Sequence, residues 1–128
     1  MLHDKEKRKA ACDSFGMGTM GFSPLCQGFL TGKYRNGIPQ DSRIAKSDSI
    51  DYQKTKNFYP QNKERIDAFL RICDKYQADY VAVALQWCLR NGICPVFGSS
   101  KISQVEKNVN ALSVHVPEEV WMKLSEIE

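Results

Sequence analysis

The 128 residues carry 18 Lys and Arg against 15 Asp and Glu, a formal net charge of +3, with 42% hydrophobic and 26% charged residues. That balance suits one globular domain, with enough apolar content for a core, too few residues for two cores and too little charge for disorder. It argues against nucleic acid, since no basic run is interleaved with aromatics, and against a membrane, since the longest apolar run, 81–85, is far short of a spanning helix.

Residues 4–15 set Lys5, Lys7, Arg8 and Lys9 around Ala10, Ala11 and Cys12, which predicts the end of a surface helix with Gly16 as its stop. The charged opening is unlike the apolar segment of a secretory signal. Residues 18–22, bounded by Ser23-Pro24, predict a strand. Over 26–59 neither period persists, and Gly28, Gly32, Gly37 and Pro39 punctuate a stretch that reads as a long loop. Compact domains seldom keep such a loop without a use for it.

After Pro60, Ile66, Phe69, Leu70, Cys73 and Tyr76 fall at helical spacing and predict a helix over 62–76. Asp79 is a cap for a helix over 81–90, apolar on most sides and expected to be buried, with Asn91-Gly92 as its stop. Residues 93–97 predict a short buried strand. Ser99-Ser100 opens a helix over 102–111 with Ile102, Val105, Val109 and Leu112 on one face. The last helix, 118–126, begins near Pro117 with Val120, Trp121, Leu124 and Ile127 as its stripe. Two short strands separated by helices imply parallel pairing through a crossover. A parallel sheet is covered on both faces and continued at its edges, so two strands describe part of a larger α/β sheet or barrel.

Five cysteines, Cys12, Cys26, Cys73, Cys88 and Cys94, are odd in number and form no Cys-x-x-Cys pair, which reads as reduced thiols in a cytoplasmic protein. His3 and His115 have no second ligand at metal spacing, and no metal site is expected. Gly16-Met17-Gly18-Thr19-Met20-Gly21 matches the dinucleotide fingerprint in letters only, because a helix precedes it and a strand follows, the reverse of what the pyrophosphate needs. Gly28-Phe29-Leu30-Thr31-Gly32-Lys33 has one residue too few for a phosphate loop.

Two stretches carry more. Lys33, Arg35 and Arg43 could grip phosphates while Gly28 and Gly32 let backbone approach a ligand; a solvated basic loop is the equal alternative. Gly98-Ser99-Ser100-Lys101 sits where a strand becomes a helix, bringing N–H groups, two hydroxyls and an ammonium together as an anion site. A serine N-cap is the competing reading, and the residues alone do not choose.

Phe22-Ser23-Pro24-Leu25-Cys26-Gln27-Gly28-Phe29-Leu30-Thr31-Gly32-Lys33-Tyr34, followed by Gly37-Ile38-Pro39 and Ser42-Arg43, resembles the cofactor loop after the seventh strand of aldo/keto reductases. Ala84-Leu85-Gln86-Trp87-Cys88-Leu89-Arg90-Asn91 resembles that family's buried helix before the eighth strand. Gly98-Ser99-Ser100-Lys101-Ile102-Ser103-Gln104-Val105-Glu106-Lys107-Asn108 resembles its adenosine-phosphate site. The branch most similar includes bacterial reductases and potassium-channel β subunits.

The resemblance implies the C-terminal part of a (β/α)8 TIM barrel: the last two strands with their helices and a C-terminal helix, not a complete barrel. It implies NADP(H) as cofactor. Phe22 would stack on the nicotinamide, and Ser23, Leu25 and Gln27 would lie along the pyrophosphate with Lys33 neutralising charge. Arg43 would close the loop over the cofactor. Gly98, Ser99, Ser100 and Lys101 would hold the 2′-phosphate, and Gln104 and Asn108 would reach the adenosine. Lys107 stands where the family usually has Glu, and an ammonium cannot accept a bond from the adenine amino group. No residue matches the family's Asp, Tyr, Lys and His tetrad, so no catalytic residue is assigned. The implied function is an NADP-binding segment of a reductase that acts on aldehydes or ketones only when the missing barrel strands are supplied. The alternative is a noncatalytic NADP-binding regulatory module. Exposed strand edges would favour self-association.

Overall fold

The computed structural model describes residues 5–40, 42–46 and 50–127, and side chains are described except at 5–6, 43 and 50–56. His3 and the side chain of Arg43 lie outside the described residues. The elements are α1 (Lys5–Ser14), β1 (Thr19–Phe22), a 3₁₀ segment (Cys26–Thr31), α2 (Arg43–Lys46), α3 (Ile50–Lys75), α4 (Tyr80–Arg90), β2 (Ile93–Val96), α5 (Ile102–Ala111) and α6 (Glu118–Ser125). β1 and β2 pair in parallel, with Thr19 opposite Ile93 and Phe22 opposite Val96. Gly21 permits this approach, because a Cβ there would lie 2.8 Å from Ile93 Cγ2.

The core is built by helices. Ile66, Phe69, Leu70 and Cys73 of α3 meet Val81 to Leu85 of α4 and Val120, Trp121 and Leu124 of α6, with Phe29, Tyr34 and Ile44 closing one side. α4 starts where its cap predicts: Asp79 Oδ1 accepts the Ala82 N–H at 2.8 Å. At the other end of the packing, Gln86 Nε2 donates to the carbonyls of Ala111 (2.8 Å) and Val114 (2.7 Å), satisfying oxygens that the end of α5 leaves open.

Three expectations need correction. The stretch 26–59 is not a continuous loop, for it holds the 3₁₀ segment, α2 and the first part of α3, which runs through Pro60. A proline removes one helical hydrogen bond and crowds the preceding turn, yet a helix continues where packing holds both sides of it. Here Phe58 and Tyr59 pack on the core before it, and Ile66, Phe69 and Leu70 are buried after it. The second correction concerns β2, which is not a buried strand. Alternation turns Met20, Phe22, Cys94 and Val96 to one face, and that face is bare: Met20 is 75% and Phe22 88% exposed. The third concerns the apolar stripe of α5, which faces outward, with Ile102 79% exposed, while Asn108 and Ala111 form the buried side. On α4, likewise, Leu89 is exposed and Trp87 half-buried.

Candidate functional site

Parallel pairing in this register has one direct consequence. Phe22 and Val96 are opposite each other at the C-terminal ends of their strands, so the loops that follow leave the sheet side by side. These are the two loops that carry the phosphate-like chemistry.

The first loop is tightly wound. Ser23 (φ 53°), Cys26 (φ 51°) and Gln27 (φ 56°) are all left-handed without being glycine. Each costs about 1 kcal/mol, and such strain concentrates at functional turns. Short bonds hold it: Cys26 N–H to Ser23 O (2.8 Å), Gly28 N–H to Leu25 O (2.9 Å) and Thr31 Oγ1 to Gly28 O (2.7 Å). Gln27 Nε2 donates to Ser23 Oγ at 3.3 Å, and Leu25 packs on the core. Gly28 is at φ 96°, and a Cβ would meet Lys33 Cε at 2.5 Å. Lys33 is exposed, its Nζ 4.7 Å from the centroid of the Tyr34 ring. Burial pushes the Cys26 thiol up to about 11 and Cys73 to about 12, and raises Cys88, so none of the three is a ready thiolate.

Arg35 anchors the end of this loop. Its guanidinium donates to Asp74 Oδ2 at 2.7 Å, and Tyr80 donates its hydroxyl to Asp74 Oδ1. The tyrosine and arginine bonds hold the Asp74 carboxyl below the usual carboxylate range. Arg35 therefore serves as a clamp between loop and helices rather than as a free phosphate grip.

The second loop is partly self-satisfied. Lys101, exposed and in extended conformation, is the N-cap of α5, so the helix opens one residue later than Ser100. Gln104 reaches back one turn: its Oε1 accepts the Ser100 N–H at 3.0 Å and lies 3.3 Å from Ser100 Oγ. The Ser99 hydroxyl is sealed from solvent and finds no partner among the described residues. Gly98 is exposed, with open space around its Cα. Phe22 at the end of β1, Ser23, Gln27, Lys33, Gly98, Ser100 and Lys101 on the two loops, and Gln104 in the first turn of α5 are thus exposed. Leu25 and Ser99 are half-buried. Asn108 is the exception at 5% exposure, on the face of α5 that also buries Ala111. Lys107 leans the other way, 4.0 Å from Asp79 Oδ2 at the start of α4.

The strained Ser23, Cys26 and Gln27 backbone and the Gln104–Ser100 bond had no clear trace in the sequence; only the S-x-x-x-Q spacing of the latter, near a capping box, could have suggested it. Among the described residues no three His, Cys, Asp or Glu side chains gather to hold a metal, and no helix is long and apolar enough to cross a membrane.

The aldo/keto reductase family matches residues 1–128. The chain belongs to the aldo/keto reductase family. It is 33% identical over 105 residues to L-glyceraldehyde 3-phosphate reductase of Escherichia coli, covering 77% of this chain and 29% of that protein. It is 32% identical over 115 residues to probable aldo-keto reductase 1 of Glycine max, covering 84% of this chain and 31% of that protein. It is also 34% identical over 109 residues to a probable voltage-gated potassium channel subunit beta of Arabidopsis thaliana, covering 77% of this chain and 31% of that one. The chain spans about a third of the length of these relatives. The aldo/keto reductase fold is a TIM barrel, and the described residues form an α/β unit with a two-stranded parallel sheet rather than a complete barrel.

Proposed function

We propose that this chain is the NADP(H)-binding C-terminal segment of an aldo/keto reductase, supplying the seventh and eighth strands of the barrel and none of its catalytic tetrad. The observation that supports it most is the register: with Phe22 opposite Val96, both candidate loops rise from the C-terminal end of the sheet, where barrels of this kind bind ligands. The donors suit a dinucleotide phosphate. The sealed Ser99 hydroxyl has no partner among the described residues, and the Ser100 N–H and hydroxyl are held by the neutral oxygen of Gln104, which an anionic oxygen would outcompete. Gly98, Ser99, Ser100 and Lys101 hold the 2′-phosphate in this reading. Phe22, Ser23, Leu25, Gln27 and Lys33 line the nicotinamide and pyrophosphate, and Arg43 closes over them. Gln104, released from Ser100, turns to the adenosine. Asn108 acts chiefly through packing, since it is buried in α5.

The cofactor supplies a hydride to an aldehyde or ketone; this chain's residues bind and orient it. The proton donor would come from strands outside these 128 residues, and loss of a positioned acid alone lowers rates by about 10²–10⁴. The likeness to a potassium channel subunit beta supports a second reading, a noncatalytic regulatory module using the same loops. Five free thiols among the described residues accord with a reducing, cytoplasmic setting.

The test is fluorescence titration of NADPH and NADH against a barrel completed with strands from a related reductase. Two or three charge-assisted bonds to the 2′-phosphate, less desolvation and ordering, leave a preference for NADPH of roughly 2–3 kcal/mol, about 30- to 150-fold. Lys101→Ala should erase much of that preference and leave NADH binding nearly unchanged. Equal affinities untouched by Lys101→Ala would overturn the assignment. Turnover of an aldehyde by the completed barrel separates the reductase reading from the regulatory one.

A further inference from the structure

A crevice of about 640 Å³ opens between the turn that carries Arg35 and Ile38 and the outer face of α3. Its size falls in the range that takes small organic ligands, about 300–1,000 Å³. The aromatic side is preformed: Phe29 stacks on Tyr59 with centroids 5.3 Å apart and planes 14° from parallel, and Tyr34 tilts against Phe29 at 4.9 Å. Tyr34 is 4% exposed, and its hydroxyl has no hydrogen-bond partner among the described residues.

The charges at the rim are unevenly spent. Asp74 accepts from Arg35 on one oxygen and from Tyr80 on the other. Asp67 does the same with Lys63 and, at 3.1 Å, with the Tyr59 hydroxyl. Two cations and two carboxylates thereby cancel, and every carboxylate oxygen is engaged. Arg71, one turn from each carboxylate along α3, also lines the crevice, and no described residue takes a hydrogen bond or ion pair from its guanidinium. Arg71 feels the Asp67 carboxylate electrostatically, but its planar fork of donors makes no hydrogen bond among the described residues, and the described lining keeps one net positive charge beside the half-buried Tyr59 ring.

We propose that this crevice binds a flat monocarboxylate, an ionised arylcarboxylic acid, with Arg71 holding the carboxylate and the half-buried Tyr59, backed from inside by the buried Phe29, packing on the ring. A guanidinium matches a carboxylate in bidentate fashion. Phosphates and dicarboxylates are disfavoured, because a second negative charge would face Asp67 and Asp74. Organic cations are disfavoured by the residual positive charge. The site is separate from the proposed cofactor contacts, and its test involves no nicotinamide.

The probe is benzoate, titrated into the full 128-residue chain and followed by saturation-transfer NMR, with benzamide as the uncharged isostere. For a ligand this small the expected dissociation constant is on the order of 1 mM. Benzoate should bind saturably, and benzamide roughly tenfold more weakly or worse. Arg71 is exposed on a helix, so Arg71→Gln should leave the fold intact while weakening benzoate by about tenfold, and Arg71→Lys should restore part of the loss. Equal binding of benzoate and benzamide, indifference to Arg71→Gln, or no saturable binding would each overturn the proposal. The isostere comparison needs no variant at all.

Discussion

Gly28 is held at φ 96°, outside the region any L side chain adopts comfortably, and its α-hydrogen side faces the Lys33 ammonium stem at a distance where a methyl group would displace it. Gly28→Ala therefore meets a backbone penalty, while the close Lys33 atoms are the far end of an exposed, flexible side chain that can move aside at little cost. We expect a loss of about 1–3 kcal/mol in stability by chemical denaturation. Gly18→Ala is the contrasting case, since a Cβ there has open space and ordinary backbone, and it should fall within about 0.5 kcal/mol of the parent. Similar losses for both would mean that the turn is not held as described. The loop was legible as glycine-punctuated, but the left-handed Ser23, Cys26 and Gln27 were not, because nothing in those residue types asks for that conformation.

At the scale of elements, α4 shows how local chemistry and packing agree. Its apolar residues form the centre of the core, and Asp79 closes its first turn through the Ala82 N–H. Removing that acceptor leaves a donor at the helix start without its partner. Asp79→Ala should cost about 1 kcal/mol, and Asp79→Asn much less, because an amide oxygen caps nearly as well. Urea denaturation reads both; equal losses would show that the carboxylate acts through Lys107 rather than through the cap. The 4.0 Å approach of Lys107 is exposed and long, and pairs of that kind contribute little. α3 makes the opposite point. Its continuation through Pro60 runs against local preference and depends on Phe58 and Tyr59 packing on the core ahead of the proline.

The molecule as a whole has one finished side and one unfinished side. α4 packs along β2, with Ile93 buried and Thr19, Gly21 and Pro95 half-buried on the inward face of the sheet, while Met20, Phe22, Cys94 and Val96 stand exposed on the other with no described residue covering them, and the α5 stripe of Ile102, Val105, Val109 and Leu112 is likewise open. Apolar surface beside unpaired strand edges invites association. The isolated chain should therefore form concentration-dependent oligomers in sedimentation velocity, and fusion to barrel strands from a related reductase should return a monomer. A monodisperse monomer of the isolated chain, unfolding cooperatively at a midpoint independent of concentration, would count against this.

What the sequence determined by itself was local. The 3.6-residue period placed α4, α5 and α6, the Asp79 cap and the Asn91-Gly92 stop bounded α4, and the alternation of strands with helices predicted parallel pairing. The two loops of the candidate site were legible for the same reason: glycines, serines and lysines announce their chemistry within a few residues. The stripes of α3 and α6 named from the sequence are the buried ones, but tertiary structure alone decided that the apolar faces of β1, β2 and α5 are not covered by any described residue. The period that marks a stripe on α5 cannot say whether a neighbour covers it, and here Asn108 and Ala111 pack while the stripe does not. It also decided that Gln104 occupies Ser100, that Lys107 turns toward Asp79 and that Arg35 is spent on Asp74. Those partnerships depend on distances between segments far apart in the chain or on the pitch of a folded turn, and side-chain order along a sequence does not contain them.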